Sequence, residues 1–205
     1  MIYDIYVGID PSINSTGVSI LTYIENKFIN EFFFIIKPDK LTKKEKSAEE
    51  KYIDKFEYIL YNKLVSKEDD NNTEFELAKT RNFINICNII KGILQKYRLK
   101  YNGNVRFHIC QEGISYGSIT RTKSVFDLAG LNFMLRATVL SIEDADLTIG
   151  TPGEIKKFAS GNGNANKEIM IELFKACHKD FDLPKLDDIS DAYWMSKFAK
   201  IHTKI

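Results

Sequence analysis

Cysteine is scarce in this chain, and so is any imbalance of charge. Cys87, Cys110 and Cys177 stand singly in apolar surroundings, with no CxxC pair. This argues against a disulfide framework or a CxxC zinc site and for free thiols in a reducing compartment. The 29 basic residues nearly cancel the 28 acidic ones, leaving a net charge of +1. Nothing global therefore marks a polyanion binder, and a nucleic-acid surface would have to come from local clustering. The most hydrophobic run, residues 32–36, is far shorter than the roughly 20 apolar residues needed to cross a bilayer. No basic stretch precedes an apolar one at the start, so no signal peptide is expected. Internal repeats are lacking too. The expectation is an intracellular, cytoplasmic protein with no membrane partner.

What the chain has in quantity is core material: 44% hydrophobic residues, among them 14 Phe and 10 Tyr in 205 residues. That suits one domain, or one domain with an insertion. Residues 2–10, 16–23 and 27–37 read as a meander of three antiparallel strands. In the first, Ile5, Val7 and Ile9 alternate with Tyr6, Gly8 and Asp10, so Asp10 points to the face opposite the Ile/Val set. Pro11, Asn14 and Gly17 supply the turn. Residues 38–73 are rich in Lys, Glu, Asp and Ser, with Tyr52, Phe56, Ile59 and Leu60 at helical spacing. They are expected to form an insertion or lid, partly helical, outside the main core. A helix is predicted over 74–100, a strand over 105–111, a helix over 122–141 and a short strand over 147–149. Three further helices are predicted, one from Thr151-Pro152, one over 167–178 and one over 186–201. This order, a meander of strands, then alternating helices and strands, then the closing helices, describes a mixed sheet flanked by helices.

Acids recur where such a fold gathers ligands. Glu112 repeats the pattern of Asp10, an acid ending an apolar strand, here followed by Gly113. If the two strands are neighbours, both acids lie at one edge of the sheet, where α/β proteins bind ligands. Asp188 and Asp191 lie three apart on the last helix, so they share a face. Taken alone, Asp10 reads equally well as a turn aspartate bonding its own backbone. N-capping and favourable charge at a helix start account well for Asp187 and partly for Asp188. They do not account for Asp191, beside apolar Ala192 and Trp194. Two strand-end acids with a helical acid pair are the hard oxygen donors that Mg²⁺ requires, with Mn²⁺ as a substitute. Two such ions would serve in-line phosphodiester hydrolysis.

The chain resembles RuvC-like Holliday junction resolvases of the RNase H-like superfamily, in the forms found in phages and other viruses. The matching pieces are Gly8-Ile9-Asp10-Pro11-Ser12 with Thr16-Gly17, Glu112-Gly113-Ile114-Ser115-Tyr116-Gly117-Ser118, Thr151-Pro152 with Lys156-Lys157, Gly161-Asn162-Gly163 and Lys167, and Asp188-Ile189-Ser190-Asp191-Ala192. They run in the family's order and span nearly the whole chain apart from about 38–73. The resemblance implies an RNase H-like five-stranded mixed sheet, a three-strand antiparallel meander plus two parallel strands. It implies a single nuclease domain over 1–205, with a lid-like insertion at about 38–73. It further implies Asp10, Glu112, Asp188 and Asp191 as ligands of two Mg²⁺ ions, in a homodimer that nicks opposing strands of a four-way DNA junction symmetrically. The expected setting is a bacterial host or a virus.

Around this set, Lys167 opens a helix after a glycine-rich loop and suits charge stabilisation or a phosphate contact, or is an ordinary surface lysine. Tyr116 could stack on an unpaired base, and Arg121 and Lys123 could touch phosphates, as could Lys156 and Lys157. Each of these also reads as a plain surface or core residue. Lys43, Lys44 and Lys46 are interleaved with Glu45, Glu49 and Glu50, which fits a solvated face. The chain departs from compact family members in the extra 38–73 segment and in its low net charge. Two other readings compete. One keeps the chemistry on flaps, branched DNA or RNA–DNA hybrids. The other is a phosphate-binding domain of the actin/sugar-kinase type, whose first hairpin is similar to residues 10–17; it needs a second lobe and a second phosphate loop that are lacking here.

Overall fold

Parity along the strands decides which side of the sheet each residue faces, and a computed structural model of residues 1–65, 72–114 and 122–203 bears this out. Strand β1 (Tyr3–Asp10) is central. Its Ile5, Val7 and Ile9 enter one hydrophobic cluster, while Tyr6 enters another on the opposite face. β2 (Thr16–Ile24) and β3 (Lys27–Pro38) follow as antiparallel neighbours. The remaining elements are α1 (Lys43–Lys51), β4 (Phe56–Tyr61), α2 (Asn72–Lys100), β5 (Val105–Glu112), α3 (Thr122–Leu140), β6 (Ala145–Gly150), α4 (Pro152–Ser160), α5 (Lys167–Cys177) and α6 (Leu186–His202). The sheet order is β4-β3-β2-β1-β5-β6, with β4 parallel to β3, β5 parallel to β1 and β6 parallel to β5.

Among the described residues the sheet has six strands, not the five expected. The sixth, β4, comes from the stretch read as an insertion. Phe56 and Tyr58 are buried among Phe33, Ile35 and Phe181, and Tyr61 joins the opposite face. Burial thus follows the strand period through this stretch, and the helical spacing of Tyr52, Phe56, Ile59 and Leu60 is coincidental. A helix does form just upstream. Thr42 caps α1 through a reciprocal pair of bonds: its Oγ1 accepts from Glu45 N at 3.2 Å, and Glu45 Oε2 accepts from Thr42 N at 2.7 Å. Buried Glu45 also receives Lys37 Nζ at 2.6 Å, which ties α1 to β3.

Helices cover both faces. Ile86, Ile90 and Leu94 of α2 and Leu131, Leu135 and Val139 of α3 pack on Ile5, Val7, Ile9, Val18 and Ile20. On the other face α6 lies directly on the backbone of the central strands, which glycines permit. A methyl group at Gly8 would overlap the Ala192 carbonyl oxygen and come 2.6 Å from Ser196 N. One at Gly17 would overlap the Asp188 carbonyl oxygen. Beside them Ser19 Oγ and Ser196 Oγ share a hydrogen bond of 3.0 Å. Because these obstructions are backbone atoms, Gly8→Ala is expected to cost at least about 2–3 kcal/mol. Urea unfolding measures it, and a loss below about 0.5 kcal/mol would mean α6 is not held this closely.

Candidate active site

Asp10 ends the central strand, and the sheet register fixes its neighbours. In the parallel β1–β5 pairing Ile9 lies opposite Gln111, so Asp10 and Glu112 are the next residues on adjacent strands. Both have the parity of Tyr6, Gly8 and Cys110 and so face α6. Gln111 takes the other face, where its Nε2 donates to Asn132 Oδ1 at 2.7 Å on α3. Across the antiparallel pairing, Asp10 is opposite Gly17, and the backbone of Asp188 sits on Gly17. Asp191 lies one turn further along α6. The fold therefore brings Asp10, Glu112, Asp188 and Asp191 to one end of the sheet, all four half-buried.

Their charges feel one another. Asp10 is pushed well above the usual carboxylate range, first by burial and then by the charges of Glu112, Asp191 and Asp188, with Lys167 opposing. Burial and Asp191 push Glu112 up to about 7, against Lys156. Asp188 and Asp191 are each pushed up to about 6, burial being the main cause. For Asp188 the Ser15 hydrogen bond is the largest opposing influence, and for Asp191 it is Lys167. Carboxyl groups forced together this way favour a proton or a cation between them.

The supporting residues differ partly from those the sequence suggested. Asp187 is not the cap of α6: Lys185 occupies that position, with a left-handed φ of 66° and no side-chain capping bond. Asp187 is instead ion-paired with Lys167. Burial would raise its pKa, but the hydrogen bond and charge of Lys167 hold it below the usual range. Lys167 opens α5 behind the cap Asn166, whose side chain accepts from Ile169 N at 3.0 Å. The Asp187 bond raises the Lys167 pKa, with further help from Asp188 and Asp191. Lys156 is half-buried and acts on Glu112 and Asp191, whereas Lys157 is exposed. Ser15, unremarked in the sequence, donates its hydroxyl to Asp188 Oδ2. Tyr116 and Arg121 lie outside the described residues, as does the side chain of Lys123.

Four oxygen donors in one another's field fit a hard divalent cation in their chemistry. They do not form a finished cage. Among the described residues, no three His, Cys, Asp or Glu side chains converge as a ready-made ion site. Asp188 is turned to Ser15 and Asp187 to Lys167. The fit is thus one of donor type and of strand and helix placement.

Neither a protein-family model nor a curated protein matches the chain. Solved structures do. Thermus thermophilus RuvC is similar over 95% of this chain and 91% of its own, at 12% identity and a TM-score of 0.53. The same protein in complex with a Holliday junction substrate is similar over 99% and 98%, at 9% identity and a TM-score of 0.56. A looser likeness, with a TM-score of 0.43 at 16% identity, is to the yeast mitochondrial Holliday junction resolvase Ydc2, over 96% of this chain and 83% of that one. Across nearly its whole length, the chain has the RuvC fold.

Proposed function

We propose that the protein is a divalent-metal-dependent endonuclease that resolves four-way DNA junctions by paired, symmetric nicks. One observation carries this reading: in a chain of RuvC fold, the strand-end Asp10 lies in the combined field of Glu112, Asp191 and Asp188. The junction-bound relative supports branched DNA as the substrate class. In this reading Asp10, Glu112, Asp188 and Asp191 hold two Mg²⁺ ions, for which Mn²⁺ substitutes. Bound there, the pair would supply activation of an attacking water and stabilisation of the leaving 3′ oxygen.

The remaining tasks fall to the chain itself. Lys167 offsets the acids from the α5 side and Lys156 from the α4 side, and both suit contacts to the scissile backbone. Lys157, Tyr116, Arg121 and Lys123 extend the DNA-contacting set. Paired nicks need two sites, hence a homodimer. The α3 face offers its surface: Phe126 and Phe133 are 76% and 57% exposed on a helix whose other side is core.

A substrate panel tests the proposal. With Mg²⁺ or Mn²⁺ the protein is expected to nick a synthetic four-way junction in two opposing strands, on the order of tenfold or more faster than linear duplex, flap or RNA–DNA hybrid. Equal cutting of flap or duplex DNA would discard the resolvase assignment and leave a nuclease of broader specificity. No cutting of any of them would discard both.

A further inference from the structure

Asp187 and Asp188 are adjacent acids at the start of one helix, yet they are held by opposite kinds of partner. Asp187 is ion-paired with Lys167. Asp188 takes a hydrogen bond from a neutral hydroxyl, that of Ser15. The difference matters chemically. An ammonium partner cancels a carboxylate's charge and competes with any cation approaching it. A hydroxyl fixes one carboxylate oxygen and leaves the negative charge in place.

Ser15 is well placed to do this. It is 4% exposed, in the turn between Asp10 and Gly17, and that turn is itself fastened at several points. Ser12 N donates to Thr16 Oγ1 at 3.1 Å, and Thr16 Oγ1 donates back to Ser12 O at 2.6 Å. Tyr61 Oη, from the strand β4, donates to Ile13 O at 2.8 Å. Lys63 Nζ reaches Asn14 Oδ1 at 3.3 Å. The Ser15 hydroxyl is therefore delivered by a braced turn and not by a free loop. On the opposite side, the Asp188 backbone is seated on Gly17. Both ends of the bond are thus positioned by the sheet.

We infer that Ser15 is a positioning residue for the ion site: its hydroxyl holds Oδ2 of Asp188, leaving Oδ1 as the oxygen presented to a cation. This rests on the metal-site reading above. It adds that one turn serves the site twice, through Asp10 at its start and through Ser15's grip on the helical acid.

The test is a Mn²⁺ titration by calorimetry of the intact protein and of Ser15→Ala, Ser15→Thr and Asp10→Asn, well below their melting temperatures. Junction cleavage is measured alongside, with kcat and KM separated. For Ser15→Ala, the Mn²⁺ dissociation constant is expected to rise about tenfold or more, as when a group that orients a metal ligand is removed. Its kcat should fall while KM for DNA holds, and Ser15→Thr should recover most of both losses. Unchanged Mn²⁺ affinity in Ser15→Ala overturns the inference and leaves the metal site standing. A uniform loss of Mn²⁺ affinity, DNA binding and melting temperature, unrelieved by Ser15→Thr, also overturns it, since Ser15 would then be only a structural tie. If the intact protein takes up no Mn²⁺, or Asp10→Asn takes it up equally well, the metal-site reading fails and the inference falls with it.

Discussion

Asp10→Asn is expected to reduce junction cleavage by at least about three orders of magnitude while leaving junction binding intact. The substitution keeps the shape of the side chain and removes its charge. Asp10 is the acid on which the fields of Glu112, Asp191 and Asp188 converge, at the end of the central strand. An amide there takes away the central negative donor between the two strand ends and α6. Misfolding would not explain the loss, because the Asp10 carboxylate is itself a burden on the fold. Burial and three neighbouring acids all oppose its ionisation, so the asparagine protein should melt no lower than the parent without added metal. Gel-shift binding to a four-way junction, thermal melting and single-turnover cleavage on the same preparations separate these effects. Cleavage within about tenfold of the parent, with Mg²⁺ saturating, would remove Asp10 from the chemistry and with it the scheme that places metal ligands at this sheet edge.

How far the sequence reveals this arrangement depends on whether a signal is local. Strand parity is local. The alternation of Ile5, Val7 and Ile9 turns Asp10 to the opposite face, and the pairing in the structure turns Glu112 the same way. The spacing of Asp188 and Asp191 on α6 is equally local, as is the βββ meander. The sixth strand was obscured because Tyr52, Phe56, Ile59 and Leu60 satisfy a helical spacing within a charged stretch. A local signal was nonetheless present upstream, since Thr42 followed three residues later by Glu45 is a helix-start pattern. The partners of Asp187 and Asp188 lay out of reach. Ser15 and Asp188 are 173 positions apart, and nothing near either residue announces the other. By its spacing Asp187 fits a helix cap, but a left-handed Lys185 starts the helix and leaves Asp187 to Lys167. Local pattern thus gives the acids and the face they occupy, and only the packing of α5 and α6 gives what holds them.

The burial of these acids, with their crowding, predicts an unusual dependence of stability on pH. In most proteins carboxylates are stabilised by folding, so stability falls as pH drops. Here Glu112 rises from an ordinary 4.5 to about 7, and Asp188 and Asp191 rise from 3.8 to about 6. Asp10 is likewise raised, well above the usual carboxylate range. Between about pH 4 and pH 7 the folded chain therefore binds more protons than the unfolded chain. The slope of unfolding free energy against pH follows the protons bound unfolded minus those bound folded, so it is negative across this window. Stability without metal is greatest near the acid end and declines as pH rises through the raised pKa values of Asp188, Asp191 and Glu112, with Asp10 adding to the decline in the same direction. For Glu112 alone the change corresponds to roughly 3 kcal/mol; the four groups are coupled, so their effects do not simply add. Glu45, Glu154 and Asp187, whose pKa values are lowered, act oppositely, from about pH 5 downward at the acid end of this window and below it. In a chelator the melting temperature at about pH 5.5 should exceed that at pH 8 by something on the order of 5–10 °C. Asp10→Asn should flatten the difference, and millimolar Mn²⁺ at pH 8 should recover it, since a cation between the acids relieves the same repulsion as a proton. A melting temperature that climbs from pH 5.5 to pH 8 in chelator would mean that these carboxylates are not buried and crowded as the fold places them. The placement of α6 against the ends of β1 and β5 would then have to be redrawn.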